Sequence, residues 1–157
     1  MAKKPSHDKQ PHMVNKGAYR NFELMDKFEA GLSLLGSEVK SLRMGRVSFK
    51  DGYVRLDGGQ AWLTGVHIAP YENAGPVGHG GHDPDRDRKL LLHQHEIKLL
   101  ANQVEQKGLT VVPVRIYFSR GKAKVEIAVA RGKKLHDHRE TLKRKAVERD
   151  MQREMAR

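Results

Sequence analysis

The chain has 157 residues, no cysteine, 38% hydrophobic residues and 30 Lys and Arg against 19 Asp and Glu, a formal charge of +11. This length supports one core and not two, and the lack of cysteine excludes disulfides, thiolate zinc sites and thiol nucleophiles. No run approaches the ~18 apolar residues of a membrane helix, and MAKKPSHDKQPHM lacks the apolar stretch of a secretory signal, so a cytoplasmic protein with no membrane partner is expected.

The charge is unevenly spread. Residues 1–20 carry five bases and one acid, residues 131–157 ten bases and five acids, and the stretch between them is almost neutral. A near-neutral body with two basic extensions suits a polyanion, because Lys and Arg that neutralise phosphates release condensed counterions. Nucleic acid is the first candidate and an anionic membrane surface the second, while tails that merely keep a small protein soluble would account for the same charge.

In chain order, residues 1–14 read as a flexible basic arm. FELMDKFEAGLSL (22–34) places Phe22, Leu24, Phe28, Ala30, Leu32 and Leu34 on one parity, which predicts a strand with one buried face, turned at the Asp26–Lys27 step. Ser37 as N-cap, Val39 and Leu42 three apart, and Gly45 as stop predict a short helix. Asp51-Gly52 and Gly58-Gly59 bracket YVRLD and precede QAWLTGVHIAP, a β-hairpin pattern. A loop rich in Gly, Pro, His and Asp spans 73–87. In RKLLLHQHEIKLLANQVEQKG the residues Ile97, Leu100, Ala101 and Val104 fall at i, i+3, i+4 and i+7. A long helix is therefore expected, with Arg86, Arg88 and Lys89 at its start, acids at 83, 85 and 87 at its positive end, and Gly108 as its stop. A second hairpin joins TVVPVRIYF to KVEIAVA, Val112, Val114, Ile116 and Phe118 alternating against Val125, Ile127 and Val129.

Five or six antiparallel strands with interspersed helices cannot make a doubly wound parallel sheet. A mainly β fold is expected, a small, closed or nearly closed antiparallel barrel flanked by two or three helices, with the domain running from 15 to 132. From 133 to 157 apolar content collapses to a thin stripe of Val147, Met151 and Met155, marginal as an isolated helix in water. That tail is expected to be disordered when free and helical when bound.

Histidines invite a metal hypothesis, either His79 and His82 with Asp83 or His93 with His95. Residues two apart on a helix diverge by about 200°, which argues against the second pair, and Gly-flanked loop histidines are more often solvated or hydrogen-bonded. No GxSxG, HExxH, Walker or dinucleotide pattern is present, so no catalytic residue, metal or cofactor is expected. Three side-chain sets suit an anionic partner. Glu29, on the solvent side of its strand, is either an ordinary exposed carboxylate or an acceptor for base edges or a 2′-hydroxyl. Asn15-Lys16 is a turn amide with a phosphate-neutralising ammonium, or only the entry to a strand. The run Leu90–Leu92 after three bases is core under a charged rim, or offers a protruding leucine to an unstacked base.

Taken in order, NKGAYRNFEL, FEAGLSLLGSEVKSLRMGRV, HIAPYE, DPDRDRKLLLHQHEI and GLTVVPVRIYFSRGKAKVEIAVARGKKLHDHR resemble the SmpB family, the SsrA-binding proteins of bacterial trans-translation. The likeness runs from about Asn15 to Arg139. It implies an OB-like barrel that binds transfer-messenger RNA, joins it on stalled ribosomes and leads to tagging of the incomplete peptide. It also implies the ribosome's small-subunit decoding centre and message channel as partners and, indirectly, elongation factor Tu. By this resemblance Asn15, Lys16, Glu29 and Leu91 belong to the surface that grips the tRNA-like part of the RNA, with Lys89 and Lys124 near enough to neutralise phosphate. Gly132, Lys133, Lys134, His136, Asp137 and Arg139 resemble the junction and tail base near the decoding centre, and Val147, Met151 and Met155 become the seam of the tail helix. Two positions depart from the family pattern: His138 stands where Lys is usual, and Arg20 where His is common. A general OB-type RNA-binding or ribosome-associated protein is the runner-up, and a histidine-metal hydrolase the alternative from another class.

Overall fold

The computed structural model describes residues 12–133 and, near the C-terminus, Arg149 and Met151–Arg153. A two-residue strand β1 (Met13–Val14) leads into a short helix α1 (Lys16–Asn21) and then the long strand β2 (Phe22–Leu32). Helix α2 (Gly36–Arg43), short β3 (Val47–Ser48), the hairpin β4 (Tyr53–Asp57) with β5 (Gln60–Thr64), and short β6 (His67–Ile68) follow. After the 69–87 segment come β7 (Arg88–Leu91), α3 (Gln94–Lys107) and a second hairpin, β8 (Thr110–Ser119) with β9 (Lys122–Gly132). Seven strands form one sheet in the order β1-β8-β9-β2-β7-β5-β4, its paired strands antiparallel, and β3 pairs separately with β6. The sheet curls until β4 packs near β8 without hydrogen bonding to it, an OB-like barrel that is nearly closed. Both hairpins turn on left-handed pairs, Gly58-Gly59 (φ 57° and 75°) and Arg120-Gly121 (φ 53° and 76°), the conformation that matches strand twist in two-residue loops.

The core is built from the inward side of this curl: Ala30, Leu32, Leu63, Leu90, Ile116, Val125, Ile127 and Val129, closed by Leu42 of α2 and Leu100 of α3, all buried. The structure corrects the expected single face of β2. Leu24 pairs with Ala130 and Lys27 with Ala128, so an extra residue is accommodated as a bulge, and a bulge bends a strand without ending it. The side-chain alternation changes face there. Phe22 and Leu24 pack outside, with Ala18 of α1, Val112 and Ala130, while Met25 and Phe28 pack against the main core. A second irregularity between Pro113 and Arg115 has the same effect on β8, and Val112 lies under α1 whereas Ile116 and Phe118 face the core.

The long helix begins later than expected. Arg88–Leu91 is a strand inserted between β2 and β5, with Arg88 and Leu90 buried and Leu91 exposed, a period of two that the following helical pattern overshadowed. Helix α3 starts at Gln94 behind His93 as N-cap and stops at Gly108, which is left-handed at φ 62°. The acids at 83, 85 and 87 therefore serve loop contacts and not a helix dipole: Asp85 meets His67 Nδ1 at 2.9 Å and Asp87 meets Arg55 at 3.4 Å. Because His93 precedes the helix, its ring stacks on that of His95 with centroids 5.5 Å apart, against the divergence expected of two helical positions. Helix α2 also starts earlier, capped by Leu35, whose N–H donates to Glu38, and Ser37 is buried inside its first turn. The 51–70 hairpin ends at Gly65, since His67–Ile68 leaves it to pair with β3. Met13 and Val14, read as part of the arm, are paired with Ile116 and Arg115.

Candidate nucleic-acid interface

Strand β7 carries two of the expected contact residues, and a buried ion network fixes it. Glu38 and Arg88 are both inaccessible to solvent. The Glu38 carboxylate accepts from Arg88 Nε at 2.7 Å, from Arg86 Nε at 3.0 Å and Nη2 at 2.5 Å, and from the Leu35 N–H at 2.8 Å. Arg88 completes its donors on the carbonyls of Val66 and Pro84, at 2.6 and 3.0 Å. Burial pushes the Glu38 carboxyl up, but the Arg86, Leu35 and Arg88 hydrogen bonds outweigh it and hold the group below the usual carboxylate range. Nearby His82, also buried, bridges Ser37 Oγ (2.7 Å) and the Ile68 carbonyl (3.0 Å). A carbonyl only accepts, so Nε2 carries a proton and donates to Ile68.

With β7 in place, the strand registers assemble a surface. Tyr117 is opposite Lys124, Lys124 opposite Gly31, and Gly31 opposite Leu91, one row across four strands on the outer face of the sheet. Leu91 is 57% exposed, unusual for a leucine on a central strand. Gly31 makes room for it: a Cβ there would lie 3.2 Å from Leu91 Cβ. A groove of about 310 Å³ is lined by Leu91, Gly31, Lys122 and Lys124 together with Leu34 and Val39. One step along, the Ser33 N–H bonds the Lys89 carbonyl and Lys89 is opposite Trp62, so half-buried Lys89 extends the same face. One step the other way stands Glu29, exposed, opposite Glu126.

Of the residues singled out from the sequence, Glu29, Lys89, Leu91 and Lys124 are thus brought together. Lys16 is exposed as the first residue of α1, which covers the far end of the same face, roughly 30 Å along β2 at the usual strand rise. Arg20 is exposed on the same helix. Asn15 is buried and committed within the protein, its Nδ2 donating to the Pro113 carbonyl at 2.8 Å and its Oδ1 capping α1 through the Ala18 N–H at 3.3 Å. Gly132 ends β9 and Lys133 follows it, both exposed, with the Lys133 N–H on the Asn21 carbonyl of α1 at 2.9 Å. Met151 is helical and exposed. Lys134, His136, Asp137, His138, Arg139, Val147 and Met155 lie outside the described residues. Gly31, Lys122 and Tyr117 escaped sequence reasoning, although Arg115, Tyr117 and Ser119 share the outward parity of their strand and the alternation marked them.

A larger cleft of about 480 Å³ opens between β4 and α3, lined mainly by apolar residues such as Leu56, Ile97 and Val104, and contains none of the candidate RNA-contact residues. Among the described residues no group of three His, Cys, Asp or Glu could hold a metal, and no helix is long and apolar enough to cross a membrane.

A nearly closed antiparallel barrel whose sheet face combines lysines, a protruding leucine and an open carboxylate has the build of an OB-type RNA-binding module. Residues 12–157 match the model of the SmpB protein family. The chain is 65% identical over 143 residues, 91% of each chain, to the SsrA-binding protein of Nitratidesulfovibrio vulgaris strain DP4. It is 56% identical over 157 residues, 100% of this chain and 99% of the relative, to that of Oleidesulfovibrio alaskensis. A chain from a solved tmRNA–SmpB structure concerned with the centre of the bacterial ribosome is 48% identical. It superposes with a TM-score of 0.66, covering 80% of this chain and 86% of that one. The chain belongs to the SmpB family.

Proposed function

We propose that the protein binds transfer-messenger RNA through the outer sheet face and, with it, rescues stalled ribosomes by trans-translation, leading to tagging of the incomplete peptide. The observation that carries this reading is the Lys124–Gly31–Leu91 row beside Glu29. It places a phosphate-neutralising cation, an apolar knob and a hydrogen-bond acceptor on neighbouring strands of one surface. Each suits a different part of a folded RNA. Lys124, Lys89 and Lys16 meet phosphates and displace counterions. Leu91 packs on the face of a base or ribose that is not stacked in a helix. Glu29, acceptor-only when ionised, takes a 2′-hydroxyl or an exocyclic amino group, which phosphate-seeking lysines alone would not select.

In this reading the protein is a binding factor and not an enzyme, works in the cytoplasm and needs no cofactor. Its basic tail, from Gly132 and Lys133 through Lys134, His136, Asp137 and Arg139, approaches the small-subunit decoding centre. Val147, Met151 and Met155 form the seam of a helix ordered in the message channel, where ribosomal RNA supplies phosphates and shape to a segment too poor in apolar residues to fold alone. Elongation factor Tu is met indirectly, through the charged RNA. Capture of RNA on the protein in its native cell, followed by sequencing, tests the reading: transfer-messenger RNA should dominate over the far more abundant tRNAs. Recovery of tRNAs in proportion to abundance would instead favour a general OB-type RNA-binding protein.

A further inference from the structure

Carboxylates are out of place on a surface that meets phosphates, and the two at the centre of this face are treated differently. Glu126 is neutralised twice, by Arg115 Nε at 2.8 Å and by Lys27 Nζ at 3.6 Å. Glu29, directly opposite it, has no cationic partner among the described residues, and one hydrogen bond holds it, from the Tyr117 hydroxyl to Oε2. Tyr117 stands two strands away, on β8. It is in register with Lys124 and not with Glu126, so its phenol crosses β9 diagonally to reach Glu29. The ring is braced from behind, with the Arg115 guanidinium 4.8 Å from its centroid, and Arg115 is itself fixed by Glu126.

This is a relay of fixed side chains ending on the one of these two carboxylates that no cation among the described residues compensates. We propose that Tyr117 is a positioning residue for RNA recognition: its hydroxyl pins Glu29 Oε2, leaving Oε1 as a preoriented acceptor for an RNA donor such as a 2′-hydroxyl or an exocyclic amino group. The inference rests on the RNA-binding reading above and goes beyond it by assigning how Glu29 is made selective. An exposed glutamate on a strand otherwise samples several rotamers, and ordering it would be charged against binding. Burial, reinforced by Glu29, pushes the Tyr117 phenol up to about 12, so it remains a donor throughout the physiological range.

The test is a double-mutant cycle in the full-length chain with Tyr117→Phe, Glu29→Ala and both, measuring equilibrium binding to transfer-messenger RNA across a salt series, with thermal unfolding alongside. Tyr117→Phe should weaken binding about threefold to tenfold, the loss of one hydrogen bond's worth of ordering. The melting temperature and the slope of log affinity against log salt should not change, because no phosphate contact is removed. In the Glu29→Ala background the same substitution should cost nothing. An equal loss in both backgrounds would make Tyr117 an independent contact, and no loss in the wild-type background, or a loss that follows a fall in melting temperature, would make it structural. Each overturns the assignment. Wild-type protein that does not prefer transfer-messenger RNA to tRNA would refute the RNA reading itself, and this inference with it.

Discussion

Replacing Glu38 with Gln removes one charge from a site that solvent does not reach, and the structure sets the scale of the consequence. Four hydrogen bonds from Arg86, Arg88 and the Leu35 N–H converge on its two oxygens. A glutamine offers one oxygen and turns an NH2 towards donors, while Arg88, fully buried, keeps a positive charge with only carbonyls to face. Breaking one partner of a buried pair in this way costs about 3–5 kcal/mol. For a body of this size that corresponds to a fall in melting temperature of roughly 10–20 °C. The same carboxyl predicts a pH signature. Its folded pKa is depressed below 4.5, so its contribution is fully present above the unfolded pKa and disappears as pH falls through the folded value. The stability gap between wild type and Glu38→Gln should therefore be flat from neutrality to about pH 5 and narrow on further acidification. Thermal or urea unfolding over that range measures both effects. A fall of only a few degrees, or a gap that widens in acid, would refute the claim that this network anchors the strand bearing Lys89 and Leu91.

Glu29→Ala should do the reverse, leaving the melting temperature nearly unchanged while weakening RNA binding by about 1.5–3 kcal/mol, the worth of a charged hydrogen bond; parallel titrations and melts distinguish the two. Removing Lys16, Lys89 or Lys124 one at a time should flatten the log–log salt dependence of RNA affinity by about 0.7–0.9 each, and an unaltered slope would strike that lysine from the interface. Deleting residues 137–157 should spare folding and RNA affinity, because the core strands end by Gly132, yet abolish tagging in a reconstituted stalled-ribosome assay. Val147→Pro should reduce tagging alone, at a cost of about 3 kcal/mol in helix formation.

Much of the fold was legible because it rests on local signals. Gly58-Gly59 and the Gly121 turn mark both hairpins, and Ile97, Leu100 and Val104 mark the buried stripe of α3. What escaped depends on partners distant in sequence. The bulge between Leu24 and Lys27 moves the side chains of β2 to the other face; Asp26, the one break in the apolar parity, marked a turn at that step but not the change of face. Strand β7 is too short for its alternation to compete with the helical pattern that follows, and Glu38 meets Arg88 only after fifty residues of chain have folded back. The site divided along the same line. Glu29, Lys89, Leu91 and Lys124 were identified one by one through residue type and family resemblance. Their assembly on one face required the registers of β2, β7 and β9, and Gly31 and Tyr117 acquire meaning only beside them. Asn15 was read in the sequence as a turn amide or as the entry to a strand, and the structure makes it the buried N-cap of α1, its amide held by Pro113 and Ala18.

The central claim is that this sheet face selects one structured RNA and does not merely attract polyanions. Competition between transfer-messenger RNA and a mixed tRNA pool for the full-length protein, at near-physiological salt and repeated with Leu91→Ala, tests it most directly. Transfer-messenger RNA should outcompete the pool in wild-type protein and lose most of that advantage in the variant, whose fold should be intact because Leu91 is largely exposed. Equal competition by both RNAs, or an advantage untouched by Leu91→Ala, would contradict the account.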